Sequence, residues 1–345
     1  MKIRLVGTLK GGEKLAEPVI TEEKEILIPK GMVLKPEYLD LLSFLGIEAV
    51  CVEDPYEKWE TPHWILGKDK TEKYISQVKK ILEKHIYMEK NSLKKLKPLS
   101  EEMVEELLQA DEKMVIDVEE RDGNLYEHTI MVTMLSVMIA RRLKMPKEFL
   151  KELALGCLLH DLGLRYITVP YINLDMQNRP ASELFEYKKH TVQAYSALEG
   201  EDWIGSNAKK MILSHHERKD GSGFPLRQKN REMECKIIQA CDAFDCAICG
   251  MECKRVRIQQ ALEHLMESAG VLFEQKIIKE LVNFVGRYPV GQKVRLTSGE
   301  LGVVVSQTDN SIYPVVGVLD DGGQLTDKRY KLSKKEKLSI LQLED

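Results

Sequence analysis

The chain is expected to be mainly α-helical, with a small α/β module ahead of the helical body and a small β-barrel-like module behind it. Three features carry that expectation. Apolar residues recur at helical spacing through the middle of the chain, and short β-like runs separated by glycine and proline fill residues 1–55. From Tyr288 the pattern turns to brief runs set off by Ser298-Gly299, Asp309-Asn310 and Asp320-Asp321-Gly322-Gly323. The 345 residues are enough for two or three domains, drawn here as 1–66, a helical linker or hairpin at 67–121, a main helical domain at 122–287 and a β module at 288–345.

In the first module, residues 3–5, 25–28 and 49–52 read as strands and 36–45 as a helix, punctuated by Gly31, Gly46 and Pro55. Residues 67–98 then carry ten lysines against four acids, with Ile75, Val78, Leu82 and His85 on one face. Residues 100–122 reverse the sign, with ten acids against two bases and Met103, Val104, Leu107, Leu108, Val115 and Val118 at helical spacing. Opposite charges on successive helices fit a hairpin with solvated faces better than a lysine-rich nucleic-acid arm.

Four further helical segments each bring polar residues onto an apolar face. Residues 125–143 place His128 in the stripe of Met131, Val132, Leu135, Met138 and Ile139. Residues 149–162 end in His160-Asp161, and 183–198 set His190 beside Tyr187, Thr191, Ala194 and Leu198. Residues 232–248 align Ile238, Cys241, Asp242 and Asp245. Between the last two, Ala208, Met211, Ile212 and His215 share a face that closes on His215-His216 before a Gly/Pro-rich turn. In the final module residues 293–296, 301–306, 313–319 and 338–343 read as strands.

Composition bounds the function classes. At 43% hydrophobic, 31% charged and net −4, the chain has no overall basic field to recruit a nucleic-acid polymer. Its longest apolar run, residues 130–140, is far short of the ~20 residues that span a bilayer. Seven cysteines and no secretory signal point to reduced thiols and a cytoplasmic setting, with Cys246, Cys249 and Cys253 read as core packing beside Cys241. Any one of the inward histidines is ordinary. Five of the eight, His128, His160, His190, His215 and His216, together with Asp161 and Asp242, would be hard to satisfy without an ion.

The motifs His160-Asp161-Leu162-Gly163, His215-His216-Glu217 with Asp220-Gly221-Ser222-Gly223-Phe224-Pro225, and Asp242-Ala243-Phe244-Asp245 occur in that order. Over about residues 122–286 they resemble the HD-GYP subfamily of HD-domain phosphohydrolases. The resemblance implies a helical HD-type fold that hydrolyses cyclic di-GMP, or a related cyclic dinucleotide, to linear pGpG or GMP through a hydroxide activated by two metals. It implies one divalent ion on His128, His160, Asp161 and Asp242 and a second on Asp161, His190, His215 and His216, with Asp161 bridging. Iron or manganese is the first choice, with zinc, nickel or magnesium as alternatives. Asp161, His160 and Asp242 are expected at the chemistry, and Asp220, Gly223, Phe224, Asp245 and Lys254 at the substrate.

The departures from that pattern are equally specific. Asn124 stands where some members carry a glutamate for a third metal, Leu164 where a lysine is common, Phe224 where tyrosine is usual and Met251 where an arginine is expected. They leave two alternatives: a non-hydrolysing receptor or adaptor, and a phosphohydrolase for another nucleotide. The expected partners are a cyclic dinucleotide and, less directly, a signalling protein or a second copy of the chain, with no membrane.

Overall fold

The computed structural model describes residues 2–9, 11–21, 25–47, 49–53, 61–86, 91–229, 232–335 and 337–344; Pro55 lies outside them. The chain divides into two compact units, Met1–Thr61 with Leu319–Thr326, and Pro62–Val318 with Asp327–Asp345.

The first unit contains β1 (Lys2–Leu5), β2 (Val19–Ile20), β3 (Ile26–Ile28), α1 (Pro36–Phe44) and β4 (Ala49–Val52). Two antiparallel pairs form, β1 with β4 and β2 with β3, around a core that includes Leu15, Leu34, Leu42, Val50 and Val52. Pro36 opens α1, where its missing N–H would have had no helical partner.

The second unit is built on helices α2 (Lys68–Ile86), α3 (Leu96–Gln109), α4 (Leu125–Arg142), α5 (Lys147–Leu159), α6 (Ala181–Leu198), α7 (Ser206–Ser214), α8 (Met233–Cys249), α9 (Ile258–Glu267) and α10 (Gln275–Phe284). Central among them is α4, buried on nearly every face and packed against α5 and α8. It begins where Asn124 Oδ1 accepts from the Tyr126 and Glu127 amides, and ends with Arg141 and Arg142 near its negative pole. Gly250, at φ +73°, closes α8 in the left-handed conformation that glycine adopts freely. The lysine-rich and acidic segments do face each other, through Lys73–Glu102 at 3.0 Å and Lys70–Glu106 at 3.1 Å.

The C-terminal strands β5 (Lys293–Leu296), β6 (Leu301–Ser306), β7 (Val315–Leu319), β8 (Leu325–Lys331) and β9 (Ile340–Leu343) form one sheet in the order β8-β7-β6-β5-β9. No pairing among the described residues joins β8 to β9, so the sheet is open and the expected barrel does not close. Asp327, Lys328 and Arg329 make the middle of β8 exposed and charged, as suits an edge strand that must not pair further. A short parallel bridge joins the stretch between α3 and α4 to the segment leaving α10: Ile116 N donates to Phe284 O and Gly286 N to Ile116 O, both at 2.8 Å.

Candidate metal centre

Helix ends and helix faces deliver the seven residues to one buried place. His128 lies one turn into α4, His160 caps the C-terminus of α5, and Asp161 begins the 3-10 turn Leu162–Arg165. His190 sits midway along α6, His215 and His216 follow α7, and Asp242 lies inside α8. All seven are buried, none more than 5% exposed. Gly163 lets the 3-10 turn approach α6, because a β-carbon there would run into the His190 carbonyl.

The two oxygens of Asp161 face two groups of imidazoles. Oδ2 lies 3.3 Å from His160 Nε2 and 3.5 Å from His128 Nε2, whereas Oδ1 lies 3.4 Å from His215 Nε2 and 3.6 Å from His190 Nε2. Asp242 Oδ1 joins the first group, 3.2 Å from His128 Nε2 and 3.6 Å from His160 Nε2. His216 Nδ1 is 3.8 Å from Asp242 Oδ2.

The hydrogen bonds behind these atoms fix which nitrogens carry lone pairs. Nδ1 of His160, His190 and His215 donates to Cys157 O (2.7 Å), Tyr187 O (2.8 Å) and Ile212 O (3.0 Å), each three residues back. A neutral imidazole that donates from Nδ1 can only accept at Nε2. His190 Nε2 and His215 Nε2 nevertheless stand 3.2 Å apart, two acceptors face to face. His160 Nε2, His216 Nδ1 and Asp242 Oδ2 are buried without any hydrogen-bond partner. A cation resolves every one of these mismatches, so the residues fit a divalent metal.

Electrostatics agree. Burial lowers His190 to about 4 and takes His216 well below its usual range, with His215 adding to both. At His160 burial is outweighed by Asp161 and Asp242, which bring the imidazole up to about 9, a proton occupying the place of the cation. Burial would raise Asp161 and Asp242, but His160 beside the first, and His128 and His160 beside the second, hold both carboxyls well below the carboxylate range.

His128 is held from behind. Its Nδ1 donates to Asp245 Oδ2 at 2.7 Å, and the same oxygen accepts from Arg121 Nη2 at 2.6 Å. The sequence placed Asp245 at the substrate. Three residues beyond Asp242 on α8, it turns inward with it and is completely buried; its Oδ2 orients an imidazole, and its Oδ1 has no partner.

The other expected substrate residues scatter. Phe224 stacks on His216, ring centroids 4.5 Å apart and 18° from parallel, with Lys188 Nζ 5.1 Å from its centroid. Gly223 has no room for a β-carbon, which would meet the His216 carbonyl and Glu217 Cα; Glu217 in turn accepts from the Leu226 and Gln228 amides and anchors the loop. Asp220 is exposed and accepts from Ser222 N at 2.9 Å, while Lys254 is simply exposed. Leu164 is buried, and Arg165 beside it reaches the hydroxyl and ring of Tyr126 on a cavity of about 350 Å³ that Asn124, Leu164 and Tyr171 also line. Asn124 is spent on capping α4.

Three residues at the centre escaped the sequence reading. Arg121 precedes α4 in an irregular stretch and offers no periodicity. Glu252, at φ +54°, sits past the end of α8; its Oε2 accepts from the Tyr187 hydroxyl at 2.6 Å, its Oε1 lies 3.8 Å from His216 Nδ1, and burial pushes its carboxyl up to about 7. Cys246 lies in the core as the packing expectation has it, and its Sγ also stands 3.6 Å from Asp242 Oδ1 and 3.9 Å from His128 Nε2, which that expectation did not include. Its position four residues after Asp242 was the available signal.

A buried imidazole and carboxylate cage on a helical body defines a class, and comparison with known proteins agrees. The HD domain family matches residues 102–277, about half of the chain, and the chain belongs to that family. It is 29% identical over 205 residues to the cyclic di-GMP phosphodiesterase PA4108 of Pseudomonas aeruginosa, covering 57% of this chain and 48% of that one. It is 30% identical over 166 residues to a cyclic di-GMP phosphodiesterase of Thermotoga maritima, covering 47% of this chain and 45% of the relative. The chain thus spans about half the length of the curated relatives it matches. Bd1817, an HDG"Y"P protein from Bdellovibrio bacteriovorus, has a similar fold, with a TM-score of 0.52 over 81% of this chain and 97% of that one at 17% identity. Among the described residues no helix is long and apolar enough to cross a membrane.

Proposed function

We propose that the chain is a metal-dependent phosphodiesterase that opens cyclic di-GMP, or a closely related cyclic dinucleotide, to a linear product. The observation that carries this is the pair of Nε2 acceptors, His190 and His215, facing each other beside a carboxylate whose second oxygen faces His128 and His160. Such a set suits two divalent ions, iron or manganese first, with Asp161 between them. When bound, the ions would polarise the phosphoryl group and make hydroxide available near neutral pH.

The chain's own residues do the remaining work. Asp161 and Asp242 supply anionic oxygens, and the carbonyls behind His160, His190 and His215 keep each Nε2 free to ligate. Arg121 and Asp245 hold His128 in one orientation. Phe224 offers a face to a base, and Lys188 and Arg165 offer positive charge near the phosphates where Leu164 cannot.

The test is to load purified protein without oxygen with Fe(II) or Mn(II), incubate it with cyclic di-GMP, cyclic GMP-AMP and simple nucleotides, and resolve the products. A linear dinucleotide or GMP from the first substrate is the expected result; turnover of a mononucleotide alone would overturn the substrate. A second reading, a receptor that binds the cyclic dinucleotide without cutting it, draws on the burial of Leu164 and Met251, which leaves two expected cations missing. Tight binding with no product would favour it.

A further inference from the structure

The donor set expected from sequence contained nitrogen and oxygen only, yet α8 brings a sulfur to the same atoms. Cys246 Sγ lies 3.6 Å from Asp242 Oδ1 and 3.9 Å from His128 Nε2, and these two are themselves 3.2 Å apart. The three ligand atoms lie within 4.8 Å of one another, close enough for one ion to reach them all. All three side chains are at least nine-tenths buried, and Asp242 Oδ2 and His160 Nε2 beside them lack partners, so the place is shaped for a ligand.

We propose that Cys246 is a thiolate ligand to the metal at the His128 and Asp242 side of the centre. The inference rests on the metal-centre reading above and adds to it a sulfur donor. The helix fixes the geometry: Cys246 follows Asp242 by one turn, so both side chains leave α8 on the same face toward α4. The thiol at present points at Asp242 Oδ1 as a weak donor; ligation would release its proton to solvent and put the metal in its place. The consequence is selectivity. One soft donor tilts this side toward iron(II), cobalt(II) or zinc and away from manganese and magnesium, while the His190, His215 and His216 side keeps its imidazole character.

The experiment is to strip the full chain with a chelator, reload it without oxygen with Co(II), and record its electronic spectrum. Wild type is expected to show ligand-field bands in the visible and a thiolate-to-cobalt charge-transfer band in the near ultraviolet. Cys246→Ser and Cys246→Ala should each lose the charge-transfer band while cobalt still binds, and Cys249→Ser should keep it. Ligand-field bands without a charge-transfer band in wild type, or a band that survives Cys246→Ser, would overturn the sulfur ligand and leave the centre standing. No cobalt uptake by wild type would overturn the centre itself. Should the variants fold poorly, zinc X-ray absorption on wild type decides: a sulfur scatterer at about 2.3 Å supports the proposal, and a shell of nitrogen and oxygen alone overturns it.

Discussion

Two buried aspartate sites in the second unit look alike by burial and opposite by chemistry. Asp117, only 2% exposed, accepts from His63 N at 2.8 Å, Val290 N at 2.8 Å and Gln307 Nε2 at 2.7 Å, so every neighbour brings a hydrogen. The imidazoles of His160, His190 and His215 around Asp161 and Asp242 already give their Nδ1 hydrogens to carbonyls, and His128 gives its own to Asp245, while the second oxygen of Asp242 meets no donor at all. The first site is closed by the protein and fastens the helical body to the C-terminal module. The second is left open on the donor side, which is what a site for a cation requires. Donor and acceptor balance, more than burial or charge, separates a structural polar cluster from a ligand site.

Truncating each aspartate is the most direct way to break this comparison. Asp161→Ala should abolish both metal loading and hydrolysis, read by elemental analysis and product chromatography; retained turnover would contradict its bridging position. Asp117→Ala should leave metal content per folded molecule unchanged but strand three buried donors, at a cost of about 3 kcal/mol or more in urea unfolding. Equal effects on metal content in the two variants would erase the distinction. An intermediate effect is expected at Asp245→Asn, which weakens the hold on His128 and should lower metal affinity about 10–100-fold in chelator competition without changing the number of ions bound.

Acidity sharpens the contrast further. In stripped protein His160 is brought up to about 9, so the stability its charge contributes is fully present below pH 6.5 and is lost as pH rises through about 9. His190 runs the other way: lowered to about 4, it stays neutral in the folded chain, and stability falls as pH drops from 6.5 toward 4 while the unfolded chain takes up the proton. These two groups together place the stability maximum of stripped protein near pH 6.5. Metal must displace the His160 proton, so apparent affinity should rise by at least one decade per pH unit up to about 9. A pH-independent affinity would show that no proton leaves.

Much of this was legible before any coordinates, and the failures have identifiable causes. The helices bearing His128, His190 and Asp242 follow from apolar stripes, because a buried helix must repeat every 3.6 residues. The stripes of α9 (Ile258, Ala261, Leu262, Leu265) and α10 (Ile277, Ile278, Leu281, Phe284) were equally present but short, and went unread. Strand β8 escaped because Asp327, Lys328 and Arg329 mask its alternation, and the same charges explain why no barrel closes. Arg121 and Glu252 lie outside regular elements, where spacing carries no information about facing. For Asp245 the helical face can be assigned from spacing, whereas the partner waiting there, Arg121, cannot.

The smallest effect is expected at Phe224, and it separates the metal centre from the surface presented to substrate. The ring already stacks on His216, so Phe224→Tyr keeps that contact and the orientation of the imidazole. Stability should therefore change by less than about 0.5 kcal/mol and metal content not at all. What the variant adds is a hydroxyl at the rim, able to hydrogen-bond to a bound nucleotide. The reading of Phe224 as a base-stacking surface predicts a fall in KM or Kd of no more than about two- to threefold, the equivalent of roughly 0.5 kcal/mol. A loss of metal on this substitution would mean that the loop from Asp220 to Pro225 supports the cage and not the substrate.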